Sequence, residues 1–194
     1  MTQAPALPSA ADVVAFWRDA GPKRWFEKDA GFDDDIRRRF LKVHEAAAAG
    51  KLAGWEQNAE GALALLILLD QFPRNMFRAS AEAFAYDERA RAVARHFVAT
   101  RFDDFYLIER TFLLLPFEHS ENLADKQEGV RLYAALAAQV PAEQTERYRG
   151  FLSFAEKHCD LIARFGRFPH RNAVLGRPST AEEAAFLAEK GRGF

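Results

Sequence analysis

Three short segments concentrate side chains that could bind an anion or exchange a proton. They are residues 69–75 (LDQFPRN), 115–121 (LPFEHSE) and 164–172 (RFGRFPHRN). An arginine guanidinium binds carboxylate or phosphate through paired N–H donors, and a histidine beside carboxylates can act as a general acid or base. The segments supply the predicted ligand-binding residues, which are Asp70, Arg74, Asn75, His119, Glu121, Arg167, His170, Arg171 and Asn172.

Two histidines and one carboxylate are the candidates for catalysis. His119 lies between Glu118 and Ser120-Glu121, a group that could hold a base, an acid and an orienting carboxylate. The alternative is that His119 only bonds a neighbouring helix end. His170 precedes Arg171, and a nearby cation favours the neutral imidazole. The candidate catalytic residues are therefore His119, His170 and Glu121, with no reaction assigned.

The common metal and nucleotide motifs are missing from the sequence. Cys159 is the only cysteine and no His-Glu-x-x-His pattern occurs, so we predict no metal site. The sequence also lacks the Gly-x-x-x-x-Gly-Lys-Ser/Thr loop and the Gly-x-Gly-x-x-Gly turn, so no cofactor is predicted.

Charge and hydropathy exclude two classes of partner. The formal net charge is −1, so we predict neither a nucleic-acid partner nor a membrane surface. The longest apolar run, residues 62–69, is far shorter than the roughly 20 residues that cross a bilayer. The first ten residues have neither the basic nor the apolar region of a signal peptide, so we expect a cytoplasmic protein.

Apolar residues recur at helical spacing along the whole chain, which predicts an all-α fold of about eight helices. The first helix runs from Ser9 to Gly21, and Pro73 and Pro116 should end the third and fifth. The others are predicted over residues 33–49, 58–72, 87–100, 103–115, 121–139, 142–165 and from 180 onward. Short connections favour antiparallel neighbours in a single domain over residues 1–194. The predicted core includes Leu65, Leu66, Leu69, Phe112, Leu115, Leu152 and Ile162.

The three polar segments lie at the C-terminal ends of the third, fifth and seventh predicted helices. Alternate helices of an up-down array run parallel, so these ends should share one edge and form one contiguous polar site. Six arginines in or just after the segments stand against three carboxylates, a formal surplus of three positive charges. The arginines are Arg74, Arg78, Arg164, Arg167, Arg171 and Arg177; the acids are Asp70, Glu118 and Glu121.

Together with Trp25-Phe26, Leu175-Gly176-Arg177 and Ser179-Thr180, the three segments resemble the DUF924 family of uncharacterised bacterial proteins. The resemblance covers about residues 13–194 and leaves residues 1–8 as a flexible start. It implies a tetratricopeptide-like, right-handed α-α superhelix and no particular activity. Glu118 departs from the family pattern, in which methionine more often precedes the histidine.

Three functions fit this sequence. The first is a binding module whose Arg/His/Asn-rich site takes an acidic peptide segment or a small anionic ligand. The second is an enzyme of unknown chemistry that uses His119 or His170 with carboxylates on an anionic substrate. In the third, the arginines satisfy helix-end carbonyls and carboxylates and only hold the fold together. The direction of the arginine side chains distinguishes the three.

Overall fold

The computed structural model describes residues 6–190, apart from the side chain of Lys190, and contains helices and turns with no strand in that range. Within residues 6–190, nine α-helical segments together hold more than half of the chain's residues, which confirms the all-α prediction. They are α1 Ala10–Phe26, α2 Ala30–Ala48, α3 Ala59–Leu66, α4 Phe72–Met76, α5 Asp87–Thr100, α6 Leu107–Glu118, α7 Leu123–Ala137, α8 Thr145–Phe165 and α9 Ala181–Lys190. The tetratricopeptide-like superhelix stays a prediction, and residues 1–5 of the predicted flexible start lie outside the described range.

Prolines 73 and 116 do not end their helices, which corrects the sequence prediction. Residues Ile67–Gln71 form a π-helical turn between α3 and α4, and the Phe72 N–H donates to the carbonyl of Ile67, five residues back. Pro73 therefore occupies the start of a new α-helical segment, where its missing N–H costs little. Pro116 is accommodated within α6, which continues to Glu118. Helical structure thus continues past both prolines, through α4 to Met76 and within α6 to Glu118.

The chain forms two compact units, and each has its own core. The first unit comprises residues up to Arg78 together with Glu82–Leu113; the second comprises Ala79–Ala81 and the chain from Leu114 onward. The expectation of a single domain stays a prediction.

Aromatic rings and aliphatic side chains fill the core of the first unit. The Trp17 ring meets Phe112 edge to face at 5.8 Å, and Phe40 lies 5.0 Å from Phe72 between ring centroids. Such pairs add to the stabilisation that burial of their area provides. The core residues predicted in this unit are buried as expected: Leu65, Leu66, Leu69 and Phe112.

In the second unit, α7 packs along α8. Leu115 and Ile162 are buried as predicted. Leu152 is only partly buried, so that prediction is wrong. The buried face of α8 runs through Tyr148, Ala155 and Ile162 at intervals of seven residues, and Leu152 falls at the edge of this stripe.

Candidate functional site

The predicted site residues fall in both units. Asp70, Arg74 and Asn75 belong to the first unit. The second unit contains His119, Glu121, Arg167, His170, Arg171 and Asn172. That these residues, apart from Asn75, form one contiguous polar site stays a prediction.

Arg74 is held by two carboxylates of the first unit. Its guanidinium donates to both oxygens of Asp87, each at 2.9 Å, and lies 3.2 Å from Asp70 Oδ1. Asp70, 1% exposed within the π-helical turn, also accepts a hydrogen bond from Gln71. Burial alone would lower the pKa of Arg74, but Asp70 and Asp87 raise it above its ordinary value. Arg74 therefore stays charged and joins the π-helical turn to α5.

Asn75 and Arg78 converge on one carboxylate at the start of α2. Asn75 Nδ2 donates to Asp33 Oδ1 at 2.7 Å, and Arg78 forms a two-point contact with the same side chain. Both residues therefore join α4 and the turn after it to α2. This group of the first unit is organised as a set of fold-stabilising pairs.

Arg167 is bound at the N-terminus of α9. Its guanidinium donates to both carboxylate oxygens of Glu183, at 2.6 and 2.8 Å, and Glu183 also closes a capping box with Thr180. The hydrogen bond from Arg167 is the main reason that the pKa of Glu183 falls to about 2. A surface cavity of about 380 Å³ adjoins this pair, but its charged groups are already matched, Arg164 with Glu182 and Arg167 with Glu183.

Glu183→Gln should reveal this pair through the pH dependence of unfolding. Because the folded pKa lies below the ordinary value of 4.5, the carboxylate contributes stability above about pH 4.5 and loses it as the pH falls towards 2. Urea unfolding across this range should show wild type more stable than Glu183→Gln at pH 7 and the difference shrinking between pH 4.5 and 2. Glu182→Gln is the matched control, since its exposed pair with Arg164 contributes about 0–1 kcal/mol. A difference for Glu183→Gln that stayed constant down to pH 2 would contradict the assignment.

Glu121 holds the segment that follows α8 through hydrogen bonds. It accepts the Phe168 N–H at 2.8 Å and two donors of Arg177 at 2.7 and 2.9 Å. Arg177 Nε donates in turn to Asn172 Oδ1. The Asn172 Nδ2 donates to Ser179 Oγ at 3.1 Å. Partial burial would raise the pKa of Glu121, but the bonds from Arg177 and Phe168 lower it. Glu121 and Asn172 thus both bind the segment that follows α8.

The Phe168 ring gathers four basic side chains, which we call the Phe168 cluster: Lys126, His158, His170 and Arg171 around Phe168. The Arg171 guanidinium carbon lies 4.3 Å and the Lys126 Nζ 4.4 Å from the ring centroid. The rings of His158 and His170 lie 5.5 and 5.2 Å away. Of the predicted residues, the structure therefore brings His170 and Arg171 to this ring.

His170 is neutral in this setting. Desolvation of its ring, followed by the charge of Arg171, lowers its pKa to about 4, although the residue as a whole keeps an exposed surface. His158 Nδ1 lies 2.7 Å from Glu118 Oε1, a pair that joins α8 to the end of α6. His119 is half-buried, and its backbone N–H closes the end of α6 on the Leu115 carbonyl. His170 can accept a proton at neutral pH, whereas it cannot serve as the acid.

The sequence prediction missed Lys126. This side chain is 1% exposed, and its Nζ has no hydrogen-bond partner among the described residues. Burial lowers its pKa to about 7. The negative charge of Glu118 opposes this shift, and the positive charge of Arg171 adds to it. A signal was present in the sequence, because Lys126, Gly129, Tyr133 and Leu136 follow the 3-4-3 spacing of the buried face of α7.

The described residues hold no group of three or more histidine, cysteine, aspartate or glutamate side chains placed to bind a metal. Within the same residues, no helix combines the length and apolar character needed to cross a membrane.

Comparison with known proteins supplies a family and a fold. The family model of a bacterial protein of unknown function, DUF924, matches residues 13–191. A solved structure of a protein of unknown function from Agrobacterium tumefaciens is 43% identical to the chain, with a TM-score of 0.84. The match covers 93% of this chain and 97% of that one. No curated protein matches the chain.

Proposed function

Because the chain belongs to the DUF924 family, whose function is unknown, we propose a function from its own residues: the second unit binds a small anionic ligand at the Phe168 cluster. The observation that supports this is the buried Lys126 ammonium group, which has no hydrogen-bond acceptor among the described residues, while three other basic side chains surround the same ring. An anion would supply the missing acceptor.

Glu118 and Glu121 are the two glutamates that act electrostatically on Lys126, and other side chains already bind both of them. Glu118 Oε1 already accepts from His158, and both oxygens of Glu121 accept from Arg177. Burying a cation without a hydrogen-bonded partner is costly, so such groups usually indicate a function. In contrast, Arg74, Arg167 and Arg177 each have carboxylate partners that explain their presence.

A small ligand fits this site better than an acidic peptide. Lys126 Nζ lies below the surface, where an extended peptide backbone could not contact it. Entry requires the segment after α8 to open, and this segment is bounded by Gly166 and Gly176, both with positive φ values of 70° and 64°. Glu121 accepts the Phe168 N–H within this segment and binds the Arg177 guanidinium directly after it. We therefore favour a small carboxylate or phosphate that enters as this segment moves.

A thermal-shift titration with inorganic phosphate tests the proposal. Wild-type protein should be stabilised by about 2.7 kcal/mol when the phosphate concentration reaches a hundred times its dissociation constant. Lys126→Met should fold with undiminished stability, because methionine fills the same apolar space without a charge, and should lose most of the response.

Arg164→Met is the matched control, since Arg164 is an exposed arginine of the same unit paired with Glu182. This variant should keep the full phosphate response. An equal response in Lys126→Met and wild type would place the anion elsewhere, and no response in wild type would refute the proposal.

A further inference from the structure

We propose that Lys126 is a carbonyl-reactive amine that forms an imine with a small anionic aldehyde or 2-oxo acid bound at the Phe168 cluster. This inference rests on the proposed anion site and names the class of compound that the site takes. It adds a chemical reaction to what would otherwise be a binding site.

The surroundings of Lys126 are those of a nucleophile. Its Nζ packs 4.4 Å from the Phe168 ring centroid, is buried, and has no hydrogen-bond partner among the described residues. A lysine that served only to join two helices would be expected to reach a carboxylate. The nearby acids Glu118 and Glu121 are instead bound to His158 and Arg177. No hydrogen bond to the described residues is therefore lost when the nitrogen releases its proton.

Burial and a neighbouring cation also provide the neutral amine at physiological pH. The pKa of Lys126 falls to about 7, so about half of the side chains carry a free lone pair at pH 7. An exposed lysine, with a pKa near 10.4, is almost fully protonated under these conditions. Lys126 should therefore react with carbonyl compounds ahead of the surface lysines once the ligand gains access.

Imine formation needs only the amine and the carbonyl compound, and it releases one water molecule. The neutral Nζ attacks the carbonyl carbon, and one proton moves from nitrogen to oxygen to give a carbinolamine. The second nitrogen proton and the hydroxyl then leave as water, and a carbon–nitrogen double bond remains. Arg171, on the same ring, supplies a guanidinium for the carboxylate of the ligand. His170, which is neutral and also contacts this ring, can accept a proton that the nitrogen releases.

Reductive trapping tests the inference on the intact protein. We would incubate it with pyruvate and sodium cyanoborohydride and locate the reduced adduct by peptide mass spectrometry. Wild type should carry the adduct at Lys126, and Lys126→Arg should lose at least about tenfold of the total label, as expected where one site dominates. Lactate, which has the carboxylate but no carbonyl group, should give no adduct.

Lys157→Arg is the matched control. Lys157 also lies over an aromatic ring, with its Nζ 5.7 Å from the Phe154 centroid, but its side chain is exposed. This variant should be labelled as fully as wild type. Peptide mapping of wild type locates the adduct directly, so the test does not depend on the folding of Lys126→Arg.

The outcomes separate imine formation from anion binding. If pyruvate and lactate both raise the melting temperature but no adduct forms at Lys126, the anion site stands and the imine inference is overturned. If label spreads evenly over exposed lysines, the imine inference also fails. If Lys126 is labelled but phosphate neither stabilises the protein nor competes with labelling, the amine is reactive and the anion proposal fails.

Discussion

Replacing Arg74 with methionine should lower the free energy of unfolding by about 3–5 kcal/mol, the range expected when one partner of a buried ion pair is removed. The change leaves Asp70, which is 1% exposed, without its guanidinium neighbour and removes both hydrogen bonds to Asp87. Urea unfolding followed by circular dichroism at pH 7 gives the difference. Phosphate should still stabilise the variant, because Arg74 is assigned to the fold.

Arg38→Met is the control for Arg74. The Arg38 side chain is 78% exposed and contacts Asp35 within the same helix, so its loss should change stability by no more than about 0.5 kcal/mol. If Arg74→Met were as stable as Arg38→Met and lost the phosphate response, Arg74 would belong to the ligand site after all.

Leu66→Ala should destabilise the protein by about 2–5 kcal/mol, because removing a buried leucine side chain leaves a cavity that its neighbours fill only in part. Leu66 is 1% exposed at the C-terminal end of α3, directly before the π-helical turn. The cost should fall near the upper end of this range if the rigid turn prevents the helix from closing over the cavity. Chemical denaturation gives the free energy directly.

Leu123→Ala is the matched control, since Leu123 is an exposed leucine at the first position of α7. It should cost less than about 0.5 kcal/mol, as is usual for surface substitutions. A loss below roughly 1 kcal/mol for Leu66→Ala would mean that α3 is not the centre of the first unit.

Most of the arginines in or just after the three segments have carboxylate partners within the protein. Arginines that bind carboxylates of the protein favour a structural role, whereas arginines that face an open site favour ligand binding. Arg74, Arg78, Arg167 and Arg177 meet carboxylates from other elements, which favours a structural role for these four. Arg171 lies against Phe168, beside a lysine that the three segments do not include. We therefore propose that the ligand binds at the Phe168 cluster, which includes Arg171 of the third segment, and not at the four paired arginines.

The sequence by itself determined the helices and their caps, because both depend on residues a few positions apart. Capping boxes at Ser9 and Thr180 form where the first and last helices were predicted to begin, and α5 has the predicted bounds, 87–100. The effect of Pro73 could not be predicted in the same way. Whether a proline ends a helix depends on whether the preceding turn can widen into a π-helical turn, and packing decides this.

Tertiary structure alone decided which charges are paired. Arg177 reaches Glu121 across 56 positions and His158 reaches Glu118 across 40, separations for which helical periodicity makes no prediction. The spacing of α7 already placed Lys126 on the buried face, but a lysine at such a position usually extends its amine to the surface or to an acid. Only the folded unit shows that Glu118 and Glu121 are bound to other residues and that the Lys126 amine is enclosed by Phe168, because both facts depend on where distant helices meet.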